Sequence, residues 1–402
     1  YNHRMIELDL AAKRKPIEIH SETQARYLVL GDFGGRPGQP AAIDRDNLDH
    51  VLARQQVTIA GSPLRELEDF HPDRLYQRLD AFQDLRDTSP AQPETPRVEP
   101  RANLGEILRP SGLLEQIVEG GDPFQHYLRD LARAHAASPQ THDTQRIATS
   151  GERMRALLHH PRFQALEAAW RGLDFVVRQP EDNPAHIYMA QFSRQDLECD
   201  LAQSTDLRST QMYALLHNRP WQGIFGLYTF SDADADIDLL GRIALLAASV
   251  NAPFVAEGSA DMGAHWDELR SIPEAKHLGL ALPRFLLRLP YGAKSSAVES
   301  FAFEEMPALP VHAHYLWGHP GLACLALLIS GDEFDLHHLP LHSYKEDDEW
   351  KMTPCAEVWM TEPQVSALID LGLMPLISFR DSDRVRLAGF RAINSSPLPL
   401  GR

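Results

Sequence analysis

The stretch from residue 152 to residue 177, ERMRALLHHPRFQALEAAWRGLDFVV, constrains the fold more than any other part of the chain. Proline is tolerated in the first turn of a helix but breaks a helix interior, so two helices are predicted to meet at Pro161. After it, apolar side chains recur at steps of three and four, at Phe163, Leu166, Trp170, Leu173 and Val177. This spacing predicts one core-facing helical stripe. Glu167 and Arg171, four residues apart beside the stripe, are predicted to pair.

The composition predicts a large core and an acidic surface. The 402 residues are 43% hydrophobic and carry a formal net charge of -17, enough core for about two or three domains. Surplus carboxylates argue against nucleic acid as a partner, because binding phosphates takes a basic surface. The 3 cysteines are odd in number and far apart, which predicts a reducing, cytoplasmic location. Apolar runs fall well short of the roughly 20 residues that span a bilayer, so no membrane insertion is expected.

Two strands are predicted near the start of the chain. Residues 16–20 alternate apolar and polar side chains, with Ile17 and Ile19 apolar, and residues 25–30 continue as a second strand. The glycines that follow suit a turn with positive φ. The triplet Asp32-Phe33-Gly34 in this turn also holds magnesium in kinases, but the kinase catalytic loop and strand lysine do not accompany it.

Residues 43–85 predict two helices. Asp44 or Asp46 is expected to cap the first. Pro72 is expected to open the second. The apolar faces of the two helices are predicted at Leu48, Val51 and Leu52, and at Leu75, Leu79, Phe82 and Leu85.

The segment between these helices contains Asp69, Phe70 and His71. His71 beside Asp69 and Asp73 suggests a catalytic cluster. The simpler interpretation is that Asp69 or His71 ends a loop and that Asp73 lies at the positive end of a helix dipole.

From residue 88 to residue 122 prolines accompany small and charged residues, which predicts an extended linker. Its predicted role is to hold two regions, residues 1–87 and residues 123–402, in equal number and at high effective concentration.

Beyond the linker, a helix is predicted at residues 124–137 and strands at residues 185–192 and 223–230. The alternating carboxylates of residues 232–238 suggest a calcium loop, but Ile237 and Ile243 stand where such a loop has glycine and glutamate. We therefore expect the carboxylates to stabilise the start of an apolar helix at residues 237–250.

Arg284 and Arg288, four residues apart, suggest a clamp for an anion. In a chain with surplus carboxylates, internal pairing with acidic neighbours such as Glu299, Glu304 or Glu305 is the favoured interpretation.

The 19 histidines include two groups whose spacing would allow zinc, His312 with His314, and His337 with His338 and His342. No HExxH, paired CxxC, Gly-x-Ser-x-Gly or Walker motif accompanies them. Dispersed loop or surface histidines are therefore favoured, and we predict no metal, cofactor or catalytic residue.

The first stretch resembles the signature of the large subunit of the type VI secretion contractile sheath, in His159, His160, Pro161, Phe163, Gln164, Leu166, Glu167, Trp170, Arg171, Gly172 and Leu173. Further segments similar to that subunit follow in the same order, at residues 252–254, 282–292, 301–305, 315–318 with Trp317, and 371–376. The resemblance implies an α/β (α+β) fold, with contractile tail-sheath-like domains whose mixed sheets are flanked by helices.

Residues 1–87 resemble the small subunit of the same sheath. In that family a strand ending in Gly-Asp leads to Ile-Asp-x-x-Asn-x-Asp and then to Asp-Phe-His-Pro-Asp, found here at residues 31–32, 43–49 and 69–73. The resemblance implies that two partner subunits are joined in one chain, with residues 123–402 as the large-subunit-like part.

The resemblance weakens in two places. The large subunit has a glycine-rich stretch where this chain has residues 329–335, and a further segment after the equivalent of residue 402 that supplies a strand linking neighbouring protomers. The helical region recognised by the family's recycling ATPase also has no clear counterpart. A unit without the linking strand is expected to accept a neighbour on one side only.

The resemblance implies a non-catalytic component of a type VI secretion apparatus that caps, initiates or adapts the sheath at its baseplate or distal end. Expected partners are sheath or baseplate proteins, or further copies of the chain. The alternatives are a regulatory module that binds an effector, chaperone or signalling protein, and a metal-dependent enzyme built around the histidines. Residues expected to serve assembly or the core are Ile17, Ile19, Asp32, Asp69, Phe70, His71, Phe163, Trp170, Arg171, Arg284, Arg288 and Trp317.

Overall fold

A computed structural model of the chain describes residues 25–86, 143–179 and 185–400, apart from residues 203, 205, 261, 263–265, 332 and 333. The predicted strand with Ile17 and Ile19, the linker at 88–122 and the helix at 124–137 lie outside the described residues.

Helices and strands alternate along the described chain. The helices are α1 (Leu48–Gln55), α2 (Pro72–Arg78), α3 (Gln83–Arg86), α4 (Asp143–Leu158), α5 (Pro161–Val177), α6 (Arg194–Ala202), α7 (Gln211–His217), α8 (Asp234–Ser249), α9 (Asp267–Ser271), α10 (Pro320–Ser330) and α11 (Glu362–Asp370). The strands are β1 (Arg26–Gly31), β2 (Ala41–Ile43), β3 (Thr58–Ile59), β4 (Ser62–Pro63), β5 (His186–Gln191), β6 (Gly223–Phe230), β7 (Phe254–Gly258), β8 (Leu278–Leu282), β9 (Phe285–Leu286), β10 (Trp317–Gly318), β11 (Asp335–Leu336), β12 (Ser343–Glu346), β13 (Glu349–Met352), β14 (Leu373–Ser378) and β15 (Val385–Leu387).

One mixed sheet organises the molecule. Its nine strands lie in the order β11-β15-β14-β8-β7-β6-β1-β5-β2. The six strands from β14 to β5 run parallel, while β2 at one edge, and β15 and β11 at the other, pair in antiparallel fashion. The predicted α/β class with a mixed sheet flanked by helices is confirmed.

Strand β1 lies inside this sheet, between two strands that follow it by more than 150 residues. Leu28 is in register with Tyr188 of β5 on one side and with Ile224 of β6 on the other. Leu28, Val29 and Leu30 are fully buried, as the continuous apolar run of a central parallel strand requires. The strands predicted at 25–30, 185–192 and 223–230 are all present.

Helices cover both faces of the sheet. Side chains alternate along a strand, so Val29 packs into the core that contains α5 and α10, whereas Leu28 and Leu30 pack into the core that contains α8. Helix α10 is apolar on all sides. This suits its position, because α5 covers one side of it and the sheet covers the other.

The two helices predicted to meet at Pro161 do so. Helix α4 ends at Leu158 and α5 begins at Pro161. The His160 imidazole caps α5, its Nδ1 accepting a hydrogen bond from the Arg162 amide at 3.3 Å. Of the predicted stripe, Leu166 is half-buried and the other four members are buried.

The helix predicted from Pro72 is interrupted. Helix α2 ends at Arg78, Leu79 has an extended backbone, and a 3-10 turn precedes α3. All four predicted apolar positions are nevertheless buried, because the break keeps them on the core side.

Two predicted helix starts are wrong in detail. Neither Asp44 nor Asp46 caps α1; the Asp44 carboxylate instead accepts hydrogen bonds from the Asp46 and Asn47 amides, in the turn before the helix. Helix α8 begins at Asp234, three residues before the predicted start, and so includes two acidic residues in its first turn.

Candidate functional site

Among the described residues, an extensive buried polar arrangement surrounds Glu167 on α5, whose side chain is completely buried. The Arg171 Nε lies 2.6 Å from Glu167 Oε1, which confirms the predicted pair. Arg288 reaches both oxygens of the same carboxylate, at 2.9 and 3.1 Å, and donates to Glu305 Oε2 at 2.7 Å. We call Glu167, Arg171, Arg288, Glu305 and Tyr291 the charged cluster.

Tyr291 closes the charged cluster. Its hydroxyl oxygen accepts a hydrogen bond from Arg171 Nη2 at 2.8 Å, and its backbone amide donates to Glu305 Oε2 at 2.7 Å. The Arg288 guanidinium lies 4.0 Å from the centre of the tyrosine ring. Buried charges are tolerated only when paired and hydrogen-bonded, and here each charged group has several partners.

Attraction between opposite charges keeps the carboxylates of the charged cluster ionised. Burial by itself would raise the pKa of Glu305, but the attraction of Arg288 and hydrogen bonds including one from the Tyr291 amide lower the pKa to about 2. Burial opposes ionisation of Glu167 too, and Arg288 and Arg171 together lower its pKa below the ordinary value. Both carboxylates are therefore charged at neutral pH.

Two histidines lie against this cluster. The rings of His159 and His314 stack with centroids 3.7 Å apart, and His159 Nε2 lies 3.5 Å from Glu305 Oε1. Burial, and then the neighbouring His159, lower the pKa of His314. His159 belongs to the predicted signature, so the signature and the 284–305 segment meet here.

Aromatic side chains of the same signature contact the first region of the chain. Trp170 packs edge-on against Phe33, and its indole Nε1 donates to the Phe33 carbonyl at 3.0 Å. Phe163 packs edge-on against Phe70 with ring centroids 5.8 Å apart. Asp32 is exposed and accepts from Gln191 Nε2 at 3.0 Å. These predicted residues thus form one interface between residues 25–86 and the rest.

Asp69 and His71 serve local structure. The buried Asp69 carboxylate accepts from the Arg65 amide at 2.8 Å and pairs with Arg78. His71 caps α2, since its Nδ1 accepts from the Asp73 amide at 3.2 Å. Asp73 lies in the first turn of α2, as expected, and accepts from the Glu299 and Ser300 amides.

His71, Asp73 and Ser296 have the residue types of a hydrolytic triad, with His71 Nε2 3.1 Å from Ser296 Oγ. His71 Nδ1 lies 3.5 Å from Asp73 Oδ2, but it accepts a hydrogen bond from the Asp73 amide, and the Asp73 carboxylate accepts from the Glu299 and Ser300 amides. The His71 and Asp73 side chains therefore both have structural partners at the start of α2.

The two predicted arginines do not form an anion clamp. The prediction that Arg288 pairs with Glu305 is confirmed. For Arg284 the predicted internal pairing is also confirmed, although with a carboxylate that was not named, because the bridge between Phe285 and Ala356 brings Glu357 to within 2.8 Å of its Nε. Arg284 remains 43% exposed.

Trp317 lies on β10 beside β9 and is buried. Its Nε1 donates to the His312 carbonyl at 3.1 Å, and its ring packs against Tyr315. In the part of the chain that the structure describes, no group of three or more histidine, cysteine or acidic side chains is arranged to hold a metal ion. Among the same residues no helix is both long and apolar enough to cross a membrane.

Sequence reasoning missed several residues that pair with the predicted residues or with the interface around β1. Tyr291 and Glu357 carry no spacing signal, because their partners lie far away along the chain. Arg153, fully buried on α4, donates to the Ala81 carbonyl and to both oxygens of Asp84. Gln191 accepts from the Phe33 amide at 2.7 Å at the end of an otherwise apolar strand.

Comparison with known proteins agrees with this architecture. Residues 148–263 and 259–395 match the model of the family described as VipB: EvpB/VC_A0108, tail sheath N-terminal domain. The match takes in more than half of the chain. The chain belongs to the VipB tail sheath family.

A curated relative is the type VI secretion system sheath protein TssC1 of Pseudomonas aeruginosa. The two are 28% identical over 286 residues, which cover 59% of this chain and 57% of the relative. The chain therefore spans little more than half the length of that protein. The VipB family is a structural family, which points to a non-enzymatic protein. The match to the family model begins at residue 148, so strand β1 lies outside the matched residues. The resemblance of residues 1–87 to the small subunit therefore stays a prediction.

Proposed function

We propose that the chain is a non-catalytic structural component of a type VI secretion apparatus, in which a small-subunit-like segment and a large-subunit-like body are carried on one chain. Membership of the VipB family supports the sheath role. The observation that carries the fusion is the position of β1, paired on both edges with strands of the body.

The contacts around β1 support a permanent union of the two parts. The Trp170–Phe33 and Phe70–Phe163 contacts, and the pair between buried Arg153 and exposed Asp84, all cross between the two parts. A single chain fixes the ratio of the two parts at one to one, and their mutual affinity no longer depends on concentration.

We propose further that this unit caps, initiates or adapts the sheath, working with sheath or baseplate proteins at the cytoplasmic side. Sheath growth by strand addition needs sheet edges long enough to pair. Among the described residues the edges of the main sheet are β2, with 3 residues, and β11, with 2. Such short edge strands resist pairing with another chain, which favours a terminal unit over a propagating one.

Electron microscopy of reconstituted sheaths tests this role. Small and large sheath subunits would be assembled with increasing amounts of the purified chain, and sheath lengths and co-sedimentation measured. We expect shorter sheaths, with the chain labelled at their ends. Labelling along the whole sheath would indicate an ordinary subunit. Unchanged lengths without co-sedimentation would refute the proposal.

A further inference from the structure

The segment that connects β9 to β10, residues 287–316, is long and has little regular structure. The structure describes all of these residues, and among them only a 3-10 turn at His312–His314 is regular. We call this segment the strap. Its Ser300 amide donates to the Asp73 carboxylate at 2.7 Å, so the strap contacts the first region of the chain.

The later part of the strap lies on the junction between α4 and α5. Gln164 Nε2 of α5 donates to the Ala313 carbonyl at 3.1 Å, but this bond is exposed, where water competes for donor and acceptor. A less exposed contact at the same place is the stack of His314 on His159, whose ring planes differ by only 12°. The His159 side chain is 10% exposed. The stack is therefore well placed to hold this part of the strap.

The stack leaves two ring nitrogens without hydrogen bonds. Among the described residues neither His159 Nε2 nor His314 Nδ1 has a hydrogen-bond partner, although both atoms are buried. A proton on His159 would be attracted to Glu305, whose Oε1 lies 3.5 Å from Nε2. A second proton, on His314, would place two positive rings with centroids 3.7 Å apart.

We propose that the His159–His314 stack is a proton-sensitive latch, which releases residues 306–314 from the α4–α5 junction when both rings bind a proton. In the closed latch, burial and the charge of His159 outweigh the attraction of Glu305 and hold the pKa of His314 below 6.5. In the released strap the ring has its ordinary pKa of 6.5, so release takes up a proton and becomes more favourable as the pH falls below that value. The inference does not depend on the capping role.

The charges on one side of the stack keep residue 305 in place. Arg288 and the Tyr291 amide hold the Glu305 carboxylate, and its pKa of about 2 keeps it ionised where histidines titrate. Arg155 of α4 donates to the adjacent Glu304 carbonyl at 2.9 Å. Release is therefore expected to stop at residue 306.

Two further histidines lie near the other end of the released residues. His342 Nδ1 lies 2.6 Å from the Tyr315 hydroxyl. Burial lowers the pKa of His342, against the attraction of Glu305 and with the repulsion of Lys294. His312 is 59% exposed, so water can solvate its charge. His342 is thus the second group that an experiment has to separate from the latch.

Hydrogen exchange of the full chain at pH 7.5 and pH 5.5, followed by mass spectrometry, tests the latch. Each rate is divided by that of an unstructured peptide of the same sequence at the same pH, which removes the direct effect of pH on exchange. The reporters are the His314 and Tyr315 amides, which donate to the Val311 and His312 carbonyls at 3.0 and 3.3 Å. Their protection should fall about tenfold at pH 5.5, because a ring with a pKa of 6.5 is then about 90% protonated once released.

Two variants remove the proton-binding ring. His314→Phe keeps a stacked ring and His314→Asn does not, and neither should show the fall in protection. His217→Phe is the control and should keep it, because His217 is exposed on α7 and stacks on Tyr213 with ring centroids 5.0 Å apart. Circular dichroism at pH 7.5 verifies that each variant is folded.

The proposal is wrong if the parent chain shows no fall in protection. It is also wrong if both His314 variants keep the fall, or if the fall disappears only in His342→Asn, because other groups would then cause the pH dependence. An equal fall in strand β6, at the centre of the sheet, would mean general unfolding in place of a local release.

Discussion

At the scale of single residues, Arg288 and Arg284 look alike in sequence but differ in their surroundings. Arg288 is 12% exposed and lies between two buried carboxylates, whereas Arg284 is 43% exposed and lies beside Glu357 and Glu257. Removing one member of a buried ion network leaves uncompensated charge, while a surface pair contributes little.

We therefore predict that Arg288→Met lowers the free energy of unfolding by about 3–5 kcal/mol and Arg284→Met by less than about 1 kcal/mol. Urea denaturation at pH 7 of both variants measures the difference. Adding Glu167→Gln and Glu305→Gln to Arg288→Met should recover part of the loss. Equal effects of the two single variants would contradict a buried ionised cluster.

Glu305 makes stability depend on pH. Its pKa falls from 4.5 to about 2 on folding, so the folded state favours the ionised carboxylate. This contribution is complete above pH 4.5 and is lost as the pH falls towards 2; the shift corresponds to about 3 kcal/mol.

The check is urea denaturation between pH 7 and pH 3. The loss of stability on acidification should be smaller in Glu305→Gln than in the parent chain. Glu362→Gln, at an exposed position on α11, is the control and should retain the parent's pH dependence. An unchanged pH profile in Glu305→Gln would show that other groups cause the acid sensitivity.

At the scale of secondary structure, the contact of α5 with the turn after β1 joins the two parts of the chain. Trp170→Phe would leave a cavity and an unpartnered Phe33 carbonyl. We expect a loss of about 2–4 kcal/mol in unfolding free energy. Trp359→Phe, at a position 46% exposed, should change it by less than about 0.5 kcal/mol. Thermal melts of the two variants test this, and similar melting temperatures would contradict the assigned contact.

Elements with a strong local pattern were predictable from sequence. Pro161 and the apolar steps after it fixed α5, and the unbroken apolar run of residues 27–30 fixed β1. The break at Leu79 was not predictable, because the turn that follows it is held by Arg153, which lies 72 residues beyond Ala81 in the chain. The partner of Arg284 was missed for the same reason, since Glu357 reaches it through tertiary folding alone.

At the scale of the whole molecule, the sequence analysis divided the chain into two regions. In the structure both regions contribute strands to one sheet. The 1–87 and 123–402 regions were separated by motif and composition, and neither signal reveals strand order. In the structure β1 and β2 from the first region flank β5 from the second. Removing β1 would break the pairing on both of its edges and expose both cores.

Cutting the chain between the two regions should therefore not separate them. A protease site would be inserted within residues 88–122, and the protein would be cleaved under native conditions. We expect the two fragments to elute together in gel filtration and to separate only in denaturant, because β1 is fully buried between β5 and β6. The uncut chain with the same insertion is the control. If the two fragments separate in buffer without denaturant, residues 25–86 associate with the body only through the covalent connection. The proposed union of two subunits in one sheet would then be wrong.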